Sequence, residues 1–176
     1  MILTILNLYF LLYRKKDMYY DYLQSDIGYW IINSNENSIT KIEYSVEKPD
    51  FEPKKCALTE KTRQELENYF LRKTKKFDLP LLIDTFSPFY QSVWSEVSKI
   101  PYGRTCSYND ISKALNNPKA VRAVGMANGK NPFPILIPCH RVIGSDGSLT
   151  GYAFGLEVKT WLLELEGYLP KTLKLF

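Results

Sequence analysis

Residues 107–128, SYNDISKALNNPKAVRAVGMAN, contain two short helical patterns separated by a break. Ser107 can cap the first helix, and Asp110 adds negative charge to its first turn. Asn116-Asn117-Pro118 predicts a tight turn, because proline cannot continue a helix and restricts the residue before it. A second helix is expected from Lys119 to about Asn128. Two helices joined by a short turn predict a helix-turn-helix.

Further helices are expected on both sides of this segment. Ser87-Pro88 is an N-cap followed by proline at the first helical position. The apolar residues that follow at helical spacing are Phe89, Val93, Trp94, Val97 and Ile100. Pro101-Tyr102-Gly103 predicts the end of this helix, and residues 157–167 predict a last one. Residues 85–176 are therefore expected to form a mostly helical domain.

Residues 18–84 have a different pattern, typical of a small α/β domain. Tyr29-Trp30-Ile31-Ile32 and the alternating run 39–46 predict strands of a hairpin or meander, with a polar turn at 33–38 between them. Thr59 can cap a helix that runs to about Lys73. Residues 79–83 predict a short strand or a linker. The expected fold class is thus α/β, or more closely α+β.

Residues 1–17 are interpreted as a dispensable N-terminal extension. The apolar run from Met1 to Tyr13 is followed by Arg14-Lys15-Lys16. It is shorter than the roughly 17–25 residues of a membrane span, and it lacks the positive start and the cleavage site of a signal peptide. The alternative is a short membrane-surface or packing segment.

Charge and cysteine content limit the possible functions. Residues 85–176 contain ten of the 23 Lys/Arg and six of the 19 Asp/Glu, so the whole net charge of +4 lies there. This half would suit a polyanion such as DNA, although +4 is also an ordinary surface charge. Three cysteines without a CxxC pair, and a single histidine, do not suit a secreted disulfide framework or a zinc site. A cytoplasmic protein without a metal is predicted.

The segment 137–142, Ile-Pro-Cys-His-Arg-Val, carries the candidate chemistry. A thiolate is a strong nucleophile, and a neighbouring histidine lowers the pKa of a thiol. Side chains adjacent in sequence need not face each other, so Cys139 and His140 also fit a buried structural cysteine beside a surface histidine. Prolines at 132, 134 and 138 stiffen the approach to Cys139. His140 is the single histidine, so any imidazole chemistry must use it.

Residues 131–142, NPFPILIPCHRV, closely resemble the active-site segment of the O6-alkylguanine-DNA alkyltransferases. The resemblance covers about residues 85–168, including Ser107-Tyr108, 117–125, Gly151-Tyr152, 155–159 and 161–163. Residues 19–80 match only in general character. The resemblance implies an N-terminal domain of ribonuclease H-like shape and a C-terminal DNA-binding and catalytic domain.

The reaction implied by this resemblance is the irreversible transfer of a methyl or other alkyl group from O6-alkylguanine, and from O4-alkylthymine, to Cys139. His140 would be the base, acting through a bound water, and Glu166 would orient it. Tyr108 would donate a proton to the departing guanine. Asn131 would brace the turn around the nucleophile. The thioether is stable, so the protein would act once and without a cofactor.

The resemblance also implies that the second helix of the helix-turn-helix enters the minor groove of double-stranded DNA. The target base must be flipped out of the duplex, and Arg122 would fill the gap. Small residues on this helix would allow close approach in a groove about 6 Å wide. The residues implied to contact DNA are Arg122, Ala120, Ala123, Gly125, Lys119 and Ser107. A monomer with no membrane association is expected.

The residues implied to surround the substrate are Val142, Tyr152, Ala153, Phe154 and Pro134. Phe154 replaces a glycine found in some members, and Ala153 replaces a serine whose hydroxyl lies near the substrate oxygen. A narrower space beside Phe154 predicts a preference for methyl over bulky groups and resistance to benzyl-type pseudosubstrates. Some members bind zinc in the N-terminal part, but this chain lacks the histidines, so no metal is predicted.

Two alternative functions are compatible with parts of this pattern. One is an alkyltransferase-like protein that binds lesions without repairing them, a class that lacks the nucleophilic cysteine present here as Cys139. The other is an unrelated cysteine hydrolase. The histidine of a hydrolase is usually distant in sequence from the cysteine, whereas His140 directly follows Cys139.

Overall fold

A computed structural model of the protein describes residues 18–171. The described chain forms two compact units. One contains the residues up to Glu67 together with Leu79–Leu82, and the other contains Asn68–Asp78 together with the residues from Ile83 onward. The predicted N-terminal extension, residues 1–17, lies outside the described residues.

The first unit is built on a three-stranded antiparallel sheet, and two of its strands lie where the sequence pattern predicted them. Its strands are β1 (Tyr19–Ser25), β2 (Gly28–Ser34) and β3 (Ile39–Ser45), in that order. Alternate side chains point to one face, which buries Leu23, Trp30, Ile32 and Ile42. The backbone of Ile39 also bonds to Pro80 and Leu82, so the predicted linker is fixed along β3 by a single bridge at Leu81.

Helix α1 (Ala57–Phe70) begins before the predicted cap and ends before the predicted terminus. Thr59 lies in its first turn, where the hydroxyl accepts from the Cys56 amide and donates to the Cys56 carbonyl, both at 3.0 Å. The chain leaves the helix through Arg72, which adopts a left-handed backbone at φ 60°. The helical pattern alone could not show this exit.

The second unit is mostly helical. Its helices are α2 (Pro88–Ser98), α3 (Tyr108–Ala114), α4 (Val121–Gly129) and α5 (Leu156–Leu165). Two short strands, β4 (Cys106–Ser107) and β5 (Val142–Ile143), pair in parallel. None of the helices within residues 18–171 is long and apolar enough to cross a membrane.

The predicted caps and the helix-turn-helix are present in this unit. The Ser87 hydroxyl caps α2, and Ser107 with Asp110 forms a capping box at the start of α3. The turn passes through Asn116 at φ 54°. Residues 118–120 then form a 3₁₀ turn, so the second helix begins at Val121 rather than at Lys119.

Candidate active site

A tight turn, held by Asn131, leads the chain into Cys139. The Asn131 side chain donates to the Ile137 carbonyl at 2.8 Å and accepts from the Phe133 amide at 2.9 Å. Ile135, at the bend, has a φ of 71°, a conformation that is rare for a β-branched residue. Residues 132–138, which the prolines were expected to stiffen, do not run extended, because this side-chain brace stabilises a reversal of the chain.

The buried carboxylate of Glu166 is the centre of a hydrogen-bond network. It accepts from His140 Nε2 at 2.9 Å, from Tyr69 Oη at 2.6 Å and from the Gly103 amide at 2.9 Å. The Arg141 guanidinium donates to both carboxylate oxygens at 2.8–3.2 Å. Gly103 reaches the carboxylate at φ 71°, a conformation that suits glycine.

These contacts and burial fix the charge states of Glu166 and His140. Burial favours the neutral acid at Glu166, but the hydrogen bonds and charges of His140 and Arg141 outweigh it and hold the pKa far below its usual range. Burial lowers the pKa of His140, although Glu166 opposes this effect. The imidazole is therefore neutral at pH 7. With Nε2 donating to Glu166, the buried Nδ1 is the ring's acceptor, and it has no hydrogen bond within the described protein.

The Cys139 thiol lies in the 3₁₀ turn Cys139–Arg141 and is 4% exposed. Burial raises its pKa to about 11, although a hydrogen bond with Asn131 and the charge of Lys159 oppose the effect. The thiol is thus protonated at neutral pH. The His140 side chain bonds to Glu166, and only the backbone of His140 lowers the pKa of the thiol, so Cys139 needs proton transfer to become a nucleophile.

Lys159 is a polar residue of this region that the sequence reasoning missed. Its side chain is fully buried. The ammonium donates to the Val142 carbonyl at 2.6 Å and to the Thr150 carbonyl at 2.7 Å, which joins β5 to the segment before Tyr152. Burial lowers its pKa to about 8. The signal was present: Lys159 shares the apolar face of α5 with Leu162 and Leu163, three and four residues on.

Arg141 was also not predicted as a site residue, although it lies within the segment 137–142. Besides its contacts with Glu166, it donates to the Ile100 carbonyl at 2.7 Å. A buried arginine with a bidentate carboxylate partner is a structural anchor for the turn that carries Cys139.

Two tyrosines named from the sequence lie beside the thiol. The half-buried Tyr108 donates to the Thr150 carbonyl at 3.4 Å, and burial raises its pKa. The Tyr152 hydroxyl is buried, and burial together with the Cys139 charge raises its pKa strongly. The Tyr152 ring meets Phe154 edge-on at 5.7 Å. Of the remaining residues expected here, Pro134 and Val142 are buried and Ala153 is exposed.

The residues expected to contact DNA lie on and before α4. Arg122, Ala123 and Lys119 are exposed, whereas Ala120 is half-buried. Gly125 faces the Tyr108 ring, where an added Cβ would lie 3.9 Å from the ring carbons. The Ser107 hydroxyl is already engaged with Asp110 in the cap of α3.

Fold and site together define a helix-turn-helix protein whose second unit holds a cysteine, a histidine and a carboxylate in one buried region. Residues 18–83 match the family model of the 6-O-methylguanine DNA methyltransferase ribonuclease-like domain, and residues 88–168 match that of its DNA-binding domain. The chain belongs to the 6-O-methylguanine DNA methyltransferase family. This confirms the resemblance seen in the sequence and the expected pairing of a ribonuclease-like with a helical domain.

Individual relatives agree with this assignment. The chain is 45% identical to a methylated-DNA–protein-cysteine methyltransferase of Methanosarcina barkeri over 155 residues, which cover 85% of this chain and 97% of that protein. It is 41% identical to the constitutive methylated-DNA–protein-cysteine methyltransferase of Bacillus subtilis, over 84% and 94% of the two chains. A crystal structure of Mycobacterium tuberculosis OGT in complex with DNA superposes with a TM-score of 0.75 at 36% identity, covering 84% of this chain and 91% of that one.

Proposed function

We propose that this protein repairs O6-methylguanine in double-stranded DNA by moving the methyl group irreversibly to Cys139. The observation that carries the proposal is a single buried thiol next to a neutral histidine, whose other ring nitrogen bonds to an ionised Glu166. A carboxylate, a base and a nucleophile in this order form the arrangement used in nucleophilic catalysis.

The transfer begins with the protonated thiol. Cys139 passes its proton to Nδ1 of His140 through a water molecule, and Glu166 stabilises the imidazolium that forms. The thiolate attacks the methyl carbon. The S–C bond forms as the C–O6 bond breaks, and the electron pair of that bond passes to the departing guanine. The base takes a proton from the Tyr108 hydroxyl, and the proton held by His140 restores that hydroxyl. The net products are a methyl thioether and guanine.

Because the pKa of the Cys139 thiol is about 11, the resting protein reacts little with electrophiles other than its substrate. A thiol that stays protonated reacts slowly with stray electrophiles, because the thiolate is the reactive form. The thiolate is produced when His140 accepts the thiol proton and a bound substrate offers a base that can leave. Since a thioether is chemically stable, each protein molecule acts once.

The exposed side of α4 supports a DNA-binding role for Arg122. An arginine that fills the gap left by a flipped base must project from the protein surface, and Arg122 is exposed. Exposed Lys119 lies just before the helix and adds a positive charge for phosphate contact. We place α4 in the minor groove, with Ala123 allowing close approach, and we expect a cytoplasmic monomer that also accepts O4-alkylthymine.

The proposal is tested with duplex DNA that carries one O6-methylguanine. Repair is followed by nucleoside mass spectrometry under single-turnover conditions. The wild-type protein and Cys106→Ser should restore guanine at similar rates, and Cys139→Ser should restore none. Repair by folded Cys139→Ser, or no repair by the wild type, would contradict the proposal.

A further inference from the structure

Asn128 is a buried amide on α4 that the mechanism above does not use. It is 4% exposed, whereas Arg122 on the same helix is exposed. Its Nδ2 donates to the carbonyl oxygen of Cys139 at 3.3 Å. The amide therefore ties α4 to the residue that carries the nucleophile.

The orientation of this amide is fixed by chemistry. Asn128 Oδ1 is buried and has no hydrogen bond within the described protein. Turning the amide over would place this oxygen against the Cys139 carbonyl oxygen, so the amino group must face Cys139. A buried acceptor without a partner costs stability, and natural proteins rarely keep one without a functional reason.

The same side chain lies close to Tyr108, whose hydroxyl donates to the Thr150 carbonyl at 3.4 Å. The Tyr108 ring packs against α4 at Gly125, one turn before Asn128. Burial raises the pKa of Tyr108, and an interaction with the Asn128 side chain lowers it. A partner lowers the pKa of a phenol when it donates a hydrogen bond to the oxygen. The second N–H of the Asn128 amide is the available donor, since the first is used by Cys139.

We propose that Asn128 is a positioning residue that is anchored on the Cys139 carbonyl and holds the Tyr108 hydroxyl in the orientation that protonates the departing base. When Asn128 donates an N–H to the phenol oxygen, the phenol's own proton points away from Asn128 and can be given to the base. The same hydrogen bond stabilises the phenolate that remains after the proton is transferred. The inference rests on the proposed function, because it assigns Asn128 a part in the departure of guanine.

A double-mutant cycle tests this proposal. Methyl transfer from O6-methylguanine DNA is measured for Asn128→Leu, Tyr108→Phe and the double variant under single-turnover conditions. Asn128→Leu should slow transfer about 10- to 100-fold, since it leaves a buried partner unpaired. In the Tyr108→Phe background it should slow transfer no more than about threefold. Thr62→Val, which removes a buried hydroxyl from the first unit, is the control and should transfer at the wild-type rate.

A second measurement separates positioning from damage to the fold. Methyl iodide methylates a thiolate and releases iodide, so no base needs a proton. The rate at which methyl iodide methylates the Cys139 peptide should agree within about twofold between wild type and Asn128→Leu, because this reaction does not depend on Tyr108. If Asn128→Leu does not fold, Asn128→Ala replaces it in both experiments.

The outcomes distinguish this inference from the function on which it rests. Multiplicative losses in the cycle, or an equal loss with methyl iodide, would overturn the role of Asn128 while leaving repair by the wild type intact. Absence of transfer by the wild type would overturn both. A non-multiplicative cycle with unchanged methyl iodide reactivity supports the proposal.

Discussion

The two units differ in the kind of polar group that each one buries. In the first unit the buried polar residues are Asp21, Ser34, Thr59 and Thr62. In the second they are Ser112, Asn128, Asn131, His140, Arg141, Lys159 and Glu166. Thr59 and Thr62 bond to nearby backbone in α1, as an ordinary core allows. The second unit buries four ionisable side chains in the region of Cys139, whereas the described part of the first unit buries one, Asp21, which pairs with Arg63.

This difference indicates that the second unit tolerates a cost in folding stability in order to hold reactive groups. Buried charges are costly unless they are paired and fully hydrogen-bonded. Glu166 meets that condition with four partner residues, and the Lys159 ammonium meets it in part, by donating to two carbonyls. Changes in the second unit should therefore affect both stability and transfer, whereas changes in the first should affect stability alone.

The largest effect is expected for Glu166→Gln. This change removes the charge that pairs with Arg141 and orients His140, and it should cost about 3–5 kcal/mol of unfolding free energy. Transfer from O6-methylguanine DNA should fall at least about 100-fold, as general base catalysis is lost. The control is Glu164→Gln on the same helix. Stability and transfer close to wild type in Glu166→Gln would show that the carboxylate is dispensable.

A change at Phe154 should alter the range of alkyl groups that the protein accepts. Phe154 is half-buried and packs on Tyr152. We expect O6-benzylguanine to inactivate the wild type slowly. Inactivation should be about 10-fold faster in Phe154→Gly, because the benzyl group needs the space that the Phe154 ring occupies. Methyl transfer, measured in parallel, should change by only a few-fold. Rapid inactivation of the wild type would contradict the role given to Phe154.

A smaller effect is expected from pH. The base must be neutral, and burial lowers the pKa of His140 below its ordinary 6.5. Transfer should decline at low pH as the imidazole takes up a proton, with the midpoint of this decline below pH 6.5. Stopped-flow transfer between pH 5 and 8, with circular dichroism to confirm folding, measures this. A decline centred at or above pH 6.5 would show that burial does not set this titration.

The smallest effect is expected in the first unit. Thr62→Val removes the hydroxyl that donates to the Leu58 carbonyl within α1. Chemical denaturation should show a loss of about 1 kcal/mol, with transfer unchanged. A clear loss of transfer in this variant would break the division between the units.

Local rules made part of this molecule predictable from sequence. The caps at Ser87 and Ser107 depend on residues within three positions, and both are present as expected. The aromatic and β-branched run in β2 and the alternating pattern of β3 likewise predicted these two strands. Each of these features is encoded in a few neighbouring residues.

Other features depend on contacts that are distant in sequence. The left-handed Ile135 requires the Asn131 brace, and the orientation of His140 requires Glu166, which lies 26 residues away. The pKa of Cys139 was expected to fall beside a histidine, but it rises because burial dominates. The family resemblance named Asn131 and Glu166, yet it could not supply the burial of Lys159 or the charge states.

The most direct test of the central claim is the stoichiometry and position of the transferred methyl group. The protein is incubated with excess O6-methylguanine duplex, and the intact chain and its peptides are followed by mass spectrometry. We predict that uptake stops at one methyl group per protein molecule and that this group lies on the peptide containing Cys139. Continued turnover of substrate, or a methyl group on Cys56 or Cys106 instead, would contradict the account.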